Sequence, residues 1–159
     1  MTLIHKAVEM TARLLLTVIS FCLAAAPVSA RQAASSASKA FTLTIQVEGV
    51  NKDGGNIGVL VFNSTKGWPE DRFAALKDIV VPAHPGAVTV TVPDLPPGEY
   101  AVAIAHDVNK NHKVDKNFFG IPKEQWGMSN NPHATLKAPP FDKAKFLLAH
   151  DLEIHVRMQ

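Results

Sequence analysis

Hydrophobic residues recur at every second position in several stretches of the chain, and that alternation predicts strands. Phe41, Leu43, Ile45 and Val47 alternate with Thr42, Thr44, Gln46 and Glu48. A period of two sends one set of side chains into a core and the other into water. Val88, Val90 and Val92 alternate with Thr89 and Thr91, and Leu152, Ile154 and Val156 with Glu153, His155 and Arg157. Gly58 to Phe62 is apolar on both parities, which predicts a central strand. In Tyr100 to Ala105 the large residues Tyr100, Val102 and Ile104 alternate with Ala101, Ala103 and Ala105, which predicts a strand covered on both faces. Short runs at Ile79 to Val81 and Lys145 to Leu148 bring the total to about seven strands, punctuated by turn residues at Asn51 to Gly55 and His84 to Gly86. Trp68-Pro69-Glu70-Asp71 opens a segment to Leu76 whose proline and acids predict a short helix of a turn or two. The stretch 106–143 lacks periodicity and exceeds an ordinary connection, so one long functional loop is expected there. The expected fold class is all-β, an antiparallel immunoglobulin-like sandwich.

The first thirty residues follow a different pattern. Lys6 and Arg13 precede an uncharged apolar run from Leu14 to Ala26, followed by Pro27 and Val28-Ser29-Ala30. The run is shorter than the ~20 residues that span a bilayer, and its ending fits cleavage after Ala30. Residues 1–30 therefore read as a signal peptide, 31–40 as a flexible leader rich in Ala and Ser, and 41–159 as a single domain. Export to the periplasm or the medium is expected. Cys22, the only cysteine, would leave with the signal. A disulfide framework and a Cys-type zinc site are thereby excluded, and core packing or a metal must hold the domain together.

Composition adds two exclusions. Hydrophobic residues make up 47% of the 159, which excludes disorder for the bulk of the chain. The formal charge of +2 gives no electrostatic case for nucleic acid or for an anionic membrane surface. No stable membrane insertion is expected after signal cleavage.

One loop carries candidate chemistry. Asp107, Asn109, Asn111 and Asp115 fall at positions 1, 3, 5 and 9 of a calcium-loop pattern, with the backbone carbonyl of Lys113 at position 7. Ca²⁺ takes six to eight oxygens at about 2.3–2.6 Å, and a tightly curled loop converges alternate side chains on one point. Position 6, normally Gly because φ is positive there, is His112, a costlier residue for that bend. Position 12, normally a bidentate Glu, is Phe118, although Glu124 stands in the following segment as a substitute. Any Ca²⁺ site is then weak, with a dissociation constant of about 10⁻⁴–10⁻³ M. The alternative is a solvated Asx-rich turn, in which Asp and Asn bond their own backbone.

Asn117 to Asn131 interleaves aromatics, glycines and a proline. Phe118, Phe119 and Trp126, with Glu124, are candidates for a ligand-facing surface; the favoured reading packs the aromatics back onto the sandwich edge as a compact loop. His106, His112 and His133 offer imidazoles for Zn²⁺ or Cu²⁺. Ser129, His106 and Asp107 compose a triad on paper, but His106 and Asp107 are adjacent and point opposite ways on an extended strand. Asp107, Asp115 and Glu124 supply carboxylates whose separation the sequence does not set.

Several of these stretches together resemble the secreted bacterial domain-of-unknown-function family 2141: Gly55 to Ser64, Leu95 to Val102, His106 to Asn111, Asn117 to Glu124, Trp126 to Asn131, and Pro139 to Ala144. The resemblance covers nearly everything from Phe41 onward, and the family usually carries Gly where His112 stands. It implies an exported β-sandwich without an established activity. Leu95-Pro96-Pro97-Gly98-Glu99-Tyr100 is also similar to transthyretin-like and carboxypeptidase-regulatory-like modules, which are mostly accessory or binding domains. The expected function is a non-catalytic binding module for an unidentified protein, small-molecule or glycan partner, with Ca²⁺ as the one cofactor to consider. A transition-metal site and a hydrolase are the alternatives.

Overall fold

A computed structural model describes residues 39–133 and 137–159. The signal-peptide reading and most of the leader lie outside the described residues. Eight strands form two sheets: β1 (Phe41–Val50), β2 (Asn56–Phe62), β3 (Lys77–Pro82), β4 (Gly86–Leu95), β5 (Gly98–Asp107), β6 (Trp126–Met128), β7 (Phe146–Leu148) and β8 (Leu152–Arg157). One sheet has the order β4-β1-β8. The other runs β3-β2-β5-β6, with β7 also paired to β5. The fold is an all-β sandwich, and β1 and β8 form its one parallel pair among these strands.

The main core lies between the sheets. Leu43, Ile45 and Val47 from β1 meet Ile57, Val59 and Val61 from β2 and Tyr100, Val102 and Ile104 from β5. These are the apolar parities of the alternating runs, so burial follows directly from period-two geometry. Tyr100 closes the corner before β5 by donating its hydroxyl to the Pro96 carbonyl at 2.8 Å, a bond of the tyrosine-corner kind.

The Ala parity of β5 is covered as expected, but by a second, smaller core on the outer face of the larger sheet. Phe62, Ala101, Ala103 and Met128 are packed there beneath Phe141 and Ala144 of α1 (Phe141–Ala144). Trp68 stands edge-on to both Phe62 and Phe141, at centroid distances of 5.3 and 5.8 Å. Its indole N–H donates to the Pro139 carbonyl.

Two expectations need correction. The short helix is not at 68–76, where Asp71 Oδ1 takes the N–H of Phe73 and breaks the segment into separate turns. The helical turn is α1 instead. Nor is 106–143 one loop. It holds a small bridged turn between Lys116 and Pro122, then β6, then the start of α1. β6 docks because Gly127 faces β8: a Cβ there would lie 2.9 Å from Val156 Cγ1 and 3.0 Å from the Arg157 carbonyl. The pair of bonds between Trp126 and Gln159 then ties β6 to the end of the other sheet.

Candidate functional site

The site begins at the C-terminal end of β5. Asn56 of β2 pairs with Asp107, and Ile57 with His106. Alternation sends His106 into the core, where it is 1% exposed, and leaves Asp107 on the outer side. His106 Nε2 lies 2.8 Å from the Gly54 carbonyl. Gly55 has φ +72°, and a Cβ on it would strike the Asp107 carbonyl at 2.5 Å. Only glycine allows the 54–55 turn to seat so closely under the loop.

From Asp107 the chain curls as the calcium-loop spacing predicts. Lys110 and His112 both adopt left-handed φ, at 60° and 62°. The His112 bend needed at position 6 therefore forms without glycine. Asp107 Oδ1 accepts the N–H of Asn111 at 3.0 Å, and Oδ2 that of His112 at 2.7 Å. Asn109 and Asn111 each donate a side-chain amide to one oxygen of Asp115. Their own carbonyl oxygens take the N–H groups of Asn111 and Lys113. Glu124 reaches in from outside: one oxygen accepts Val108 N–H at 2.9 Å, the other Asp115 N–H at 3.0 Å. Asp107, Asn109, Asn111, Asp115 and Glu124 are thus brought into one network, with Lys113 on its backbone path.

The network is knit by the protein's own N–H groups. Among the described residues, no group of three or more His, Cys, Asp or Glu side chains is poised to hold a metal ion. A Ca²⁺ reading of this loop therefore rests on Asn side chains and main-chain carbonyls beside Asp107 and Asp115. The three histidines form no such set either: His106 is buried on Gly54, while His112 and His133 are exposed.

Neither do the paper triad and the carboxylate pair assemble. Ser129 is fully buried, accepts the N–H of Val102 at 2.9 Å and donates to the Ala144 carbonyl at 2.6 Å. It is a structural clamp between β5 and α1. Asp107, Asp115 and Glu124 all point at donors of the loop itself.

Next to this loop lies a groove of about 460 Å³ on the outer face of the larger sheet. Gly58 and Leu60 of β2, Val80 of β3, Ala103 and Ala105 of β5, and Trp126 and Met128 of β6 line it. Small residues in the middle strands make the floor concave. Asp107, His112 and Lys113 form one rim; Glu70, Arg72, Asp78 and Lys116 stand on others. Two rim ion pairs are made, Arg72 with Asp78 and Lys116 with Glu70 at 2.6 Å.

The candidate surface residues separate. Trp126 is half-buried on the groove and packs against the second core. Phe118 and Phe119 do not fold back onto the sandwich, contrary to the favoured reading: they are 97% and 82% exposed. Asn117 explains this, because its side-chain oxygen takes the N–H groups of Phe119 and Ile121 and turns the tip outward. The groove floor was not among the candidate residues, although the Ala parity of β5 was its signal.

The chain is thus a β-sandwich with a concave groove on the outer face of its larger sheet, beside an Asx-rich loop. The chain matches the family DUF2141, described as an uncharacterized protein conserved in bacteria, over residues 45–155, and belongs to it. No curated protein and no solved structure matches the chain.

Proposed function

We propose that the protein is an exported, non-catalytic binding module that takes a small-molecule, glycan or peptide ligand in the groove over β2, β5 and β6. The 107–115 loop is its rim, and Ca²⁺ binding weakly to Asp107, Asn109, Asn111, the Lys113 carbonyl and Asp115 stiffens that rim. The observation that carries this reading is the groove itself, apolar and small-residued on its floor and charged at its edge. Ligand sites have that composition, an apolar floor with a few placed polar groups. The side chains at hand that chemistry would need are committed to backbone partners, which favours binding over turnover.

Trp126 supplies the assay. Its ring borders the groove, so a ligand seated there changes its emission. A panel of sugars, peptides and small apolar compounds is screened by fluorescence and by melting temperature. Ala105→Leu fills the floor and is expected to abolish any hit while leaving the fold intact. A hit that survives Ala105→Leu unchanged places the ligand elsewhere and removes the groove reading.

A further inference from the structure

The floor and walls of the groove narrow the class of ligand it takes. Strand register sets Val80, Gly58, Ala105 and Trp126 in one row across β3, β2, β5 and β6, and Asp78, Leu60, Ala103 and Met128 in the next. In the first row Val80 and Trp126 stand high at the two ends, and Gly58 and Ala105 between them are small. Gly58, Ala103 and Ala105 therefore form a low, flat patch one strand spacing wide and two residues long, about 5 by 7 Å, with Leu60 at its corner. Ile121 and Pro122 of the 115–123 segment, and Pro69, add apolar surface to the sides. Lys116 joins that segment to Glu70, next to Pro69, at 2.6 Å, so the two sides are tied to each other.

The floor offers a ligand almost no polar partner. β2 is paired with β3 and β5, and β5 with β2 and β6, so the backbone donors and acceptors of the floor are spent within the sheet. Apart from the charged rim, only Asn56, His112 and Trp126 bring a polar side-chain atom to the lining. A sugar needs a bond for each hydroxyl it buries, and an extended peptide needs a free strand edge; the floor supplies neither. The rim is balanced in charge. Arg72, Lys113, Lys116 and Lys137 stand against Glu70, Asp78 and Asp107, with Arg72 paired to Asp78 and Lys116 to Glu70. Asp115 and Glu124 add their charge from the loop network. An ionic ligand meets no unmatched counter-charge here and loses water over an apolar floor.

We propose that the groove takes an uncharged, hydrocarbon-rich ring compound, lying flat on Gly58, Ala103 and Ala105 with Trp126 at its edge. The inference rests on the groove reading and adds the class of ligand to it. The volume of about 460 Å³ lies in the small-molecule range of about 300–1,000 Å³. Gly58 and Ala105 are then the residues that set specificity, because a longer side chain at either would occupy the place of the ring.

The test uses the chain from Arg31 onward, which keeps the entire core, drawn from Phe41 to Met158, and drops the apolar N-terminal run that would itself take up dye. A cooperative thermal transition checks that it folds. N-phenyl-1-naphthylamine, uncharged and fluorescent on leaving water, is compared with 8-anilinonaphthalene-1-sulfonate, the same rings with one negative charge. The uncharged dye is expected to bind at least about tenfold tighter. 2-Naphthalenemethanol is expected to displace it at lower concentration than 1-octanol does. A Cβ on Gly58 meets only the Ala105 carbonyl, at 3.9 Å, so the strand accommodates Gly58→Leu. That variant and Ala105→Leu are each expected to weaken the dye at least about tenfold with cooperative melting retained. Phe118→Ser with Phe119→Ser is expected to change nothing, since neither ring lines the groove. Sulfonate binding as tight as that of the uncharged dye, or displacement by 1-octanol ahead of 2-naphthalenemethanol, overturns the proposal. No binding of the uncharged dye overturns it too, and a sugar or peptide whose binding is lost in Ala105→Leu then keeps the groove reading standing. Dye binding that survives both leucine variants overturns the groove reading and the proposal together.

Discussion

Glu124 fastens both ends of the 107–115 loop. Its two oxygens hold the N–H groups of Val108 and Asp115, one at each end of the loop. A hydrogen bond to a charged group contributes about 1.5–3 kcal/mol net, and Glu124 is half-buried, so the lower figure applies to each. Glu124→Gln keeps the shape but presents an NH₂ to one of two N–H donors, and flipping the amide only exchanges which donor is orphaned. The expected loss is about 2 kcal/mol, or roughly a thirtyfold rise in the open population. Because the loop is outside both cores, it opens locally rather than by global unfolding. Native-state amide exchange read by NMR separates these cases. Val108 and Asp115 amides are expected to exchange about thirtyfold faster, while core amides such as Val59 stay as they were. Unchanged exchange at both loop amides refutes the bridging role. An equal rise at Val59 refutes the loop's independence.

Three other outcomes follow from single contacts. Ser129→Ala strands the buried Val102 N–H and Ala144 carbonyl and is expected to cost about 2–4 kcal/mol in urea unfolding; a loss below about 0.5 kcal/mol contradicts the clamp. Gly127→Ala pushes a methyl against Val156 and the Arg157 backbone, with an expected loss of about 1–3 kcal/mol by the same measurement. His155 is held above its ordinary 6.5 first by its hydrogen bond to Glu48, partly countered by desolvation and aided by the charges of Glu48 and Glu153. A raised folded pKa makes the pair stabilising below the unfolded value and lets that stabilisation fade as pH rises through the folded one. The imidazole signals of His155 are expected to titrate above 6.5 and to move down in Glu48→Gln; a midpoint at or below the ordinary value contradicts the pair.

The strands were largely legible because β1, β4 and β8 follow period two, while β2 and β5 carry apolar residues on both parities. The Ala parity of β5 correctly announced a second covered face. β6 was not legible: three residues carry no period, and its central Gly127 is buried by its fit against Val156 rather than by hydrophobicity. The parallel pairing of β1 with β8 follows from the chain's return path, which no local pattern encodes. At the site, spacing brought Asp107, Asn109, Asn111 and Asp115 together, and Glu124 joined them. It holds N–H groups, a role that the oxygen-counting logic of a metal loop does not suggest. Phe118 and Phe119 misled because an aromatic run reads as core; Asn117, one polar residue before them, turns them out. The groove floor was missed because small residues advertise space only once their neighbours are known.

The central claim, a binding groove with a cation-stiffened rim, is tested most directly by amide exchange of Asn111 and His112 in EDTA and in Ca²⁺. Both N–H groups are bonded to Asp107, position 1 of the calcium-loop pattern. With Ca²⁺ at about ten times its dissociation constant, exchange at both is expected to slow about tenfold. Mg²⁺ and Zn²⁺ are expected to do less, and Asp107→Ala to abolish the effect. Exchange identical in EDTA and in saturating Ca²⁺ would contradict the account and leave the loop an Asx turn closed by its own hydrogen bonds.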